Sequence, residues 1–420
     1  MAALGEAVFP MQAEACIKIV SSIRLRYRSA IRFLLAKYLY PHPRRLIVQL
    51  YHQQHKFYCG VDLHANHLYV CVVDSAGNKL LHQNFLVRDT KTLLAALKPY
   101  SEDLVVACES TFNWYWLCDL CEANKLHFIL GHALYLKAIH AGKVKNDKID
   151  SEKLAYLLRG GNFAVAYAYP AAWRSTRDLL RRRMHLVRRR GETLTHISHA
   201  HYQCNLPPTK KLQYASNRDG VADAFTDPAV RYSVEVDLQL LGNYDTLIKQ
   251  TEVYLERAAK VHDANNFYLL QTIPGVGRIL AMTLLYEIHS IRRFPTVGKF
   301  LSYARLVRCQ HTSAGKNYGA PNNKIGNAYL KWAFSEIVPL LKRQSKEVKA
   351  YCERIERRHS KARANAIIAT KLGRAVYFML RRREVFSLER LISKPRSKTV
   401  ADSKASAPTN TPAEVASTFA

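Results

Sequence analysis

The chain has 420 residues, 48% of them apolar, enough to bury the cores of two or three domains and too much for a disordered tail. Sixty-three Lys and Arg against 33 Asp and Glu leave a formal charge of +30, which predicts a polyanionic partner. No apolar run approaches the roughly 18–20 residues that cross a bilayer, so nucleic acid is favoured over membrane, and nine scattered cysteines exclude a disulfide-framed secreted domain and fit a reducing cytoplasm.

Residues 1–56 are basic, with two Glu and no Asp. Pro41-His42-Pro43 after the Ile31–Tyr40 stretch and the lack of a small-residue cleavage pattern predict an extension rather than a targeting signal. Phe57–Asp62, His67–Val73 and Lys79–Val87 then read as a strand meander, with Asp74-Ser75-Ala76-Gly77-Asn78 as turn chemistry. A helix over Thr90–Leu97, a strand over Leu104–Cys108, a helix over Trp114–Ala123 and a strand over Leu126–Leu130 follow, so residues 57–165 predict an α/β domain with helices packed on a mixed sheet.

Over residues 166–262 the strand signals vanish and two long helices are expected, interrupted near Pro207-Pro208 and Ser216–Pro228 to form a helical arm or coiled coil. Leu238, Leu241, Leu247, Val253 and Leu255 predict its seam. Trp173–Arg190 carries eight arginines and one acid, Asp178. Periodicity alone reads as a spacer with a solvated basic face; the arginine density predicts nucleic-acid backbone contact through Arg174, Arg177, Arg181 and Arg182. Residues 263–390 predict a compact, mostly helical domain, and 391–420 a tail rich in Ser, Thr, Ala and Pro.

Four carboxylates stand out. Asp62 and Glu109 each follow an apolar strand, and Asp147 and Asp150 head a helix expected over Asp150–Arg159. Strand ends of one sheet face one edge, and an i, i+3 pair points one side of a helix, so the four acids can converge. Like charges that close require neutralising cations, and paired divalent ions with oxygen ligands suit phosphoryl transfer. Singly, Asp147 or Asp150 also reads as an N-cap and Asp62 as a turn start.

Downstream, Pro274-Gly275-Val276-Gly277 reads either as a tight helix–helix turn or as a hairpin whose Gly275 and Gly277 backbone, with Arg278, meets a phosphate at a helix start. Ser313 lies in a loop with Lys316, Asn317, Asn322, Asn323 and Lys324, a setting suited to a hydroxyl attacking phosphorus beside cations.

Taken together, Tyr58-Cys59-Gly60-Val61-Asp62-Leu63-His64, Ala107-Cys108-Glu109-Ser110-Thr111 and Lys145-Asn146-Asp147-Lys148-Ile149-Asp150 resemble the acidic motifs of the DEDD insertion-sequence transposases, a family that includes Piv-type DNA invertases. The block from Leu269 to Arg278, Arg293-Phe294-Pro295, Leu301-Ser302-Tyr303-Ala304 and His311-Thr312-Ser313-Ala314-Gly315-Lys316 resemble the same family in the same order. The resemblance spans Phe57 to Met379. It implies a RuvC-like, ribonuclease-H-type amino-terminal domain, an arm, and a transposase domain with a helix-hairpin-helix-like Pro-Gly-Val-Gly turn. It further implies that Asp62, Glu109, Asp147 and Asp150 bind magnesium or manganese, that Lys145 and Lys148 flank nucleic acid, and that Ser313 links covalently to DNA. Its implied partners are double-stranded DNA at element ends and target and a structured non-coding bridge RNA, in the bacterial nucleoid; the arginine helix is where an RNA backbone is expected to be held, and the roughly 160 residues between the acids and Ser313 predict a dimer or tetramer in which one copy's acids meet another's serine. This chain has Ser313-Ala314 where the family has Ser-Gly, and fewer arginines after Asn322. A junction-resolving nuclease and a decayed, non-catalytic binding protein are the alternative functions.

Overall fold

The computed structural model describes residues 49–139, 146–307, 312–313, 316–317 and 325–393, with only the backbone of 138–139, 312–313 and 317. Residues 1–48 of the expected extension, the expected tail from residue 394, Lys145 and Lys324 lie outside the described residues. The chain divides at Ala171 into two units, so the long helices expected as a separate arm share a unit with the helical domain that follows.

The first unit is built on β1 (Phe57–Leu63), β2 (His67–Asp74), β3 (Lys79–Leu86), β4 (Leu104–Glu109) and β5 (His127–Gly131), in the order β3-β2-β1-β4-β5. The β1–β2 and β2–β3 pairs are antiparallel, and β1–β4 and β4–β5 are parallel. Alternation by two sends Cys59, Val61, Val106 and Cys108 to one face, under Leu93 and Leu97 of α1 (Thr90–Leu97) and Leu117 and Cys121 of α2 (Tyr115–Ala123). Tyr58, Val105 and Ala107 go to the other face, against Leu154, Ala155 and Leu158 of α4 (Asp147–Arg159); the short α3 (Ala133–Ile139) adds Leu136 there. Both faces of the central strands are covered, which is why they read as continuous apolar runs.

One glycine sets the spacing of that second layer. A Cβ on Gly60 would stand 2.2 Å from the Ser151 carbonyl oxygen, 2.4 Å from the Ala155 amide nitrogen and 2.9 Å from the Leu154 Cβ, so α4 lies directly on the backbone of β1. Helix α4 begins at Asp147, one turn earlier than expected, because the Asn146 side chain accepts from the Lys148 amide at 3.0 Å and takes the N-cap. The cap reading of Asp147 and Asp150 is thereby excluded.

In the second unit, α5 (Ala171–Gln203) and α6 (Pro228–Gln271) run antiparallel, tied by Arg183–Glu252, by Arg190–Asp245 at 2.5 Å and by His196–Asp237 at 2.5 Å. Asp227 caps α6 through the Ala229 and Val230 amides, with Pro228 in the first turn. The helix breaks at Asp263, whose carboxylate caps the segment beyond by accepting from the Asn266 amide at 2.9 Å.

The seam differs from the expected one. Leu241 and Leu255 are buried, with Val234 seven residues before Leu241, whereas Leu247 and Val253 are exposed. The burying stripe therefore repeats by sevens from Val234, and the intermediate levels are held by the ion pairs.

Helix α7 (Arg278–Ile288) is buried from Leu280 through Ile288 among α8 (Val297–Tyr303), α9 (Ala328–Gln344), α10 (Lys346–Glu356) and α11 (Lys361–Arg382), with α12 (Leu388–Ile392) closing the order. Inside this core sits Glu287, fully buried. Arg177 and Arg181 reach its carboxylate from α5 at 2.9 and 2.7 Å, and Asn327, the N-cap of α9, donates to it at 2.7 Å. Burial by itself raises a carboxyl pKa; here the Arg181 hydrogen bond and the charges of both arginines outweigh it and hold Glu287 below the usual glutamate range.

Two predictions follow from these contacts. Gly60→Ala forces α4 away from β1 and is expected to lower unfolding stability by about 3 kcal/mol, read by denaturant titration. Glu287→Gln leaves two guanidinium groups facing an amide and is expected to cost about 3–5 kcal/mol. Because the folded pKa of Glu287 is depressed, its stabilisation is complete above the ordinary glutamate range and is lost as pH falls through the folded value, so the stability gap between wild type and variant should narrow at acid pH.

Candidate functional site

The parallel register pairs Val61 with Cys108, so Asp62 and Glu109 come next at the same level of neighbouring strands, on the face that α4 covers. Each acid lies within its strand rather than after it, since β1 runs on to Leu63 and β4 ends with Glu109. The close seat of α4 on Gly60 then brings the first turn of that helix over the same edge.

There the Asp62, His64 and Asp147 side chains converge. Nε2 of His64 lies 3.1 Å from Asp62 Oδ2 and 3.4 Å from Asp147 Oδ1, and one ligand atom from each of the three falls within 4.8 Å of the others. Burial raises the Asp62 carboxyl above its ordinary range, the nearby carboxylates of Asp147 and Asp150 push the same way, and His64 opposes them. Asp150 is thus close enough to be felt by Asp62 while its own Oδ1 takes an ion pair from Lys153 at 3.2 Å. Of the four expected acids, Asp62 and Asp147 meet through His64, Asp150 acts on Asp62 through its charge, and Glu109 occupies the adjacent strand position. A donor set of carboxylates and one imidazole on a partly exposed sheet edge suits a divalent cation.

His64 was missed by sequence reasoning that sought acids alone. The signal was present: two residues after Asp62, it falls on the same face by strand alternation. Its backbone is anchored beyond the strand end, its amide donating to the His67 carbonyl at 2.9 Å and its carbonyl accepting from the Asn113 side chain at 2.7 Å.

The expected nucleic-acid contacts fall into distinct settings. Lys148 is exposed on the first turn of α4. Arg174 is 3% exposed and Arg177 and Arg181 are committed to Glu287, so these three serve the interior of their unit, while Arg182 is exposed, as are Arg188 and Arg189 further along α5. Gly275, at φ +86°, is packed on α9: a Cβ there would stand 2.8 Å from the Leu340 Cβ. Gly277 begins α7 with open space around it, and Arg278 is largely exposed while paired with Glu256 at 2.7 Å. Of the two readings of Pro-Gly-Val-Gly, the tight turn accounts for Gly275, and the phosphate reading retains only the open Gly277 end.

Ser313 lies on a two-stranded hairpin, β6 (Thr312–Ser313) with β7 (Lys316–Asn317), and pairs across it with Lys316, whose side chain is exposed. The stems of that loop are clasped. The Asn327 amide donates to the Tyr303 carbonyl at 2.6 Å, Arg305 Nε donates to the Ile325 carbonyl at 3.0 Å, and Gly326, at φ +93°, sits where a Cβ would stand 2.6 Å from the Tyr303 carbonyl oxygen. Asn327 thus joins the stem of the Ser313 loop to the Glu287 network.

Residues 59–201 match the DEDD transposase family of the IS110 type, and residues 268–353 match the Transposase IS116/IS110/IS902 family. The transposase for insertion sequence element IS1111A of Coxiella burnetii (strain RSA 493 / Nine Mile phase I) is 20% identical over 347 residues, which cover 78% of this chain and 90% of that relative. The family implies dependence on a divalent metal and action on DNA, and no helix among the described residues is long and apolar enough to cross a membrane. With acids gathered at the sheet edge of one matched segment and a helical core in the other, this chain belongs to the DEDD insertion-sequence transposases and is a DNA transposase.

Proposed function

We propose that this transposase cuts and rejoins DNA at element ends and target through a covalent Ser313–DNA link, with Asp62, Glu109, Asp147 and Asp150 holding magnesium or manganese at the reacting phosphate. The observation that carries the reading is the meeting of Asp62 and Asp147 at one edge of the sheet, with Asp150 within electrostatic reach. Uncompensated, those charges oppose one another; around a dication they cooperate. The bound metal would supply Lewis acidity, drawing charge from the non-bridging oxygens of the phosphate.

The chain's own residues perform the transfer. The Ser313 hydroxyl attacks phosphorus, its Oγ–P bond forming as a P–O bond of the strand breaks. Its proton passes to the departing sugar oxygen. A phosphoester linkage is exchanged for another, so the energy of the broken bond is kept and a hydroxyl of a second strand can reverse the step to rejoin. Lys316 across the hairpin and Lys148 on α4 supply positive charge for the DNA backbone, joined by Lys145 and Lys324 from the same motifs.

Guidance by a structured bridge RNA belongs to the same proposal, as does assembly into a dimer or tetramer in which the serine domain of one copy serves the acids of another. Exposed Arg182 and Arg188 are the part of α5 left to grip an RNA backbone, beside exposed Arg189, which pairs with Glu192 at 2.7 Å; Gly277 and Arg278 offer a further phosphate contact at the start of α7.

Denaturing gels with labelled element DNA test the chemistry. Wild type is expected to give a protein–DNA adduct, Ser313→Ala none, and Asp62→Asn a loss of cleavage of at least about a hundredfold. Strand cleavage that persists in Ser313→Ala without any adduct would turn the assignment toward a hydrolytic nuclease, and unchanged cleavage by Asp62→Asn would remove the acidic site. For the RNA, Arg182→Glu combined with Arg188→Glu should leave thermal stability unchanged, since both side chains are exposed, and should weaken retention of co-purified RNA with a shallower salt dependence. RNA retention equal to wild type would take the grip away from α5.

A further inference from the structure

We propose that His64 is itself a metal ligand, making the centre a mixed nitrogen–oxygen site that takes manganese(II) in preference to magnesium. The inference rests on the reading of Asp62 and Asp147 as metal ligands and adds a donor that the acidic motif does not contain.

Geometry is the first support. Neighbouring ligands of an octahedral dication with bonds of about 2.1 Å stand about 3 Å apart, the bond length times the square root of two. His64 Nε2 lies 3.1 Å from Asp62 Oδ2 and 3.4 Å from Asp147 Oδ1, and all three atoms fall within a 4.8 Å span. The nitrogen therefore stands at the spacing of neighbouring ligands from one oxygen of each carboxylate, and a cation would take the place of the hydrogen bond that now joins His64 to Asp62.

Anchorage is the second. An imidazole that only decorated the surface would not need a fixed backbone. His64 has both its backbone groups bonded, the carbonyl to Asn113 Nδ2 at 2.7 Å and the amide to the His67 carbonyl at 2.9 Å. Strand periodicity places it on the face of Asp62, while its side chain remains 46% exposed, open to an ion and to solvent ligands.

Donor chemistry then chooses the ion. Magnesium holds its water tightly and takes oxygen ligands almost alone, whereas imidazole raises affinity for first-row transition metals. Among these, manganese(II) accepts carboxylates and water in the remaining positions with octahedral geometry. A pure carboxylate edge would not discriminate in this way; His64 gives the site its preference.

Direct metal binding by the full-length chain tests this without reference to recombination. Manganese(II) and magnesium are titrated separately by calorimetry into wild type, His64→Gln, His64→Asp and Asp62→Asn, and the manganese-loaded proteins are examined by electron spin-echo spectroscopy for coupling to a ligand nitrogen. Wild type is expected to prefer manganese and to show the nitrogen signal. His64→Gln should lose the signal and about tenfold in manganese affinity, with magnesium affinity changed much less. His64→Asp, which returns an oxygen donor to the same place, should bind both ions with the preference gone. Should His64→Gln and His64→Asp keep the wild-type ratio of affinities and the nitrogen signal, His64 is no ligand and the inference fails while the acidic site stands. Should Asp62→Asn bind manganese as wild type does, the acidic site itself is misplaced and both readings fail together.

Discussion

The close seat of α4 on the bare backbone of Gly60 is the contact on which the candidate site depends. A strand carries its side chains out to either face and a helix normally stands off by the length of the residues between them. At Gly60 there is no such residue, and the Ser151 carbonyl and Ala155 amide occupy the space a Cβ would take. Two residues along β1 comes Asp62; one helical turn before Ser151 comes Asp147. A few ångströms of extra separation between the layers would leave the same acids in the sequence and disperse their charge. The apolar contacts of Leu154, Ala155 and Leu158 beneath the sheet hold the helix in place against the repulsion at its first turn.

In the second unit the organising element is a buried carboxylate, used in the opposite sense to Asp62. Where burial, opposed by His64 and reinforced by the charges of Asp147 and Asp150, pushes Asp62 toward its neutral form, Glu287 is surrounded by Arg177, Arg181 and Asn327 and held ionised in its core. The first arrangement is poised for an external cation; the second has its cations built in. Through Asn327, Glu287 reaches the stem of the loop that carries Ser313, so a stabilising network of the core and the geometry of a reactive loop share a residue.

The basic character of the chain is likewise divided by packing. Much of the arginine density of α5, which in one dimension looks like a uniform polyanion-binding face, is spent inside its own unit on Glu287, Glu252 and Asp245. The exposed remainder, Arg182, Arg188 and Arg189, is a narrower surface than the count of arginines conveys.

What the one-dimensional pattern determined was local. Strands β1 to β5, the helices between them and the long helical segments were legible because period-two and helical spacing of apolar residues report how each segment buries its own faces, and turn residues such as Asp74 and Gly77 mark the ends. Asp62 and Asp147 were legible as acids expected to approach one another, because charge beside an apolar strand and charge at the head of a helix are both conspicuous in the pattern. What only the tertiary structure decided was proximity between segments distant along the chain: that His64 joins Asp62 and Asp147, that Glu287 captures Arg177 and Arg181, that the seam of α6 runs through Val234, Leu241 and Leu255 rather than Leu247 or Val253, and that Gly275 faces a helix. Periodicity states which face of an element is buried but not which partner buries it, and an ion pair or a ligand set is a property of two such choices made together.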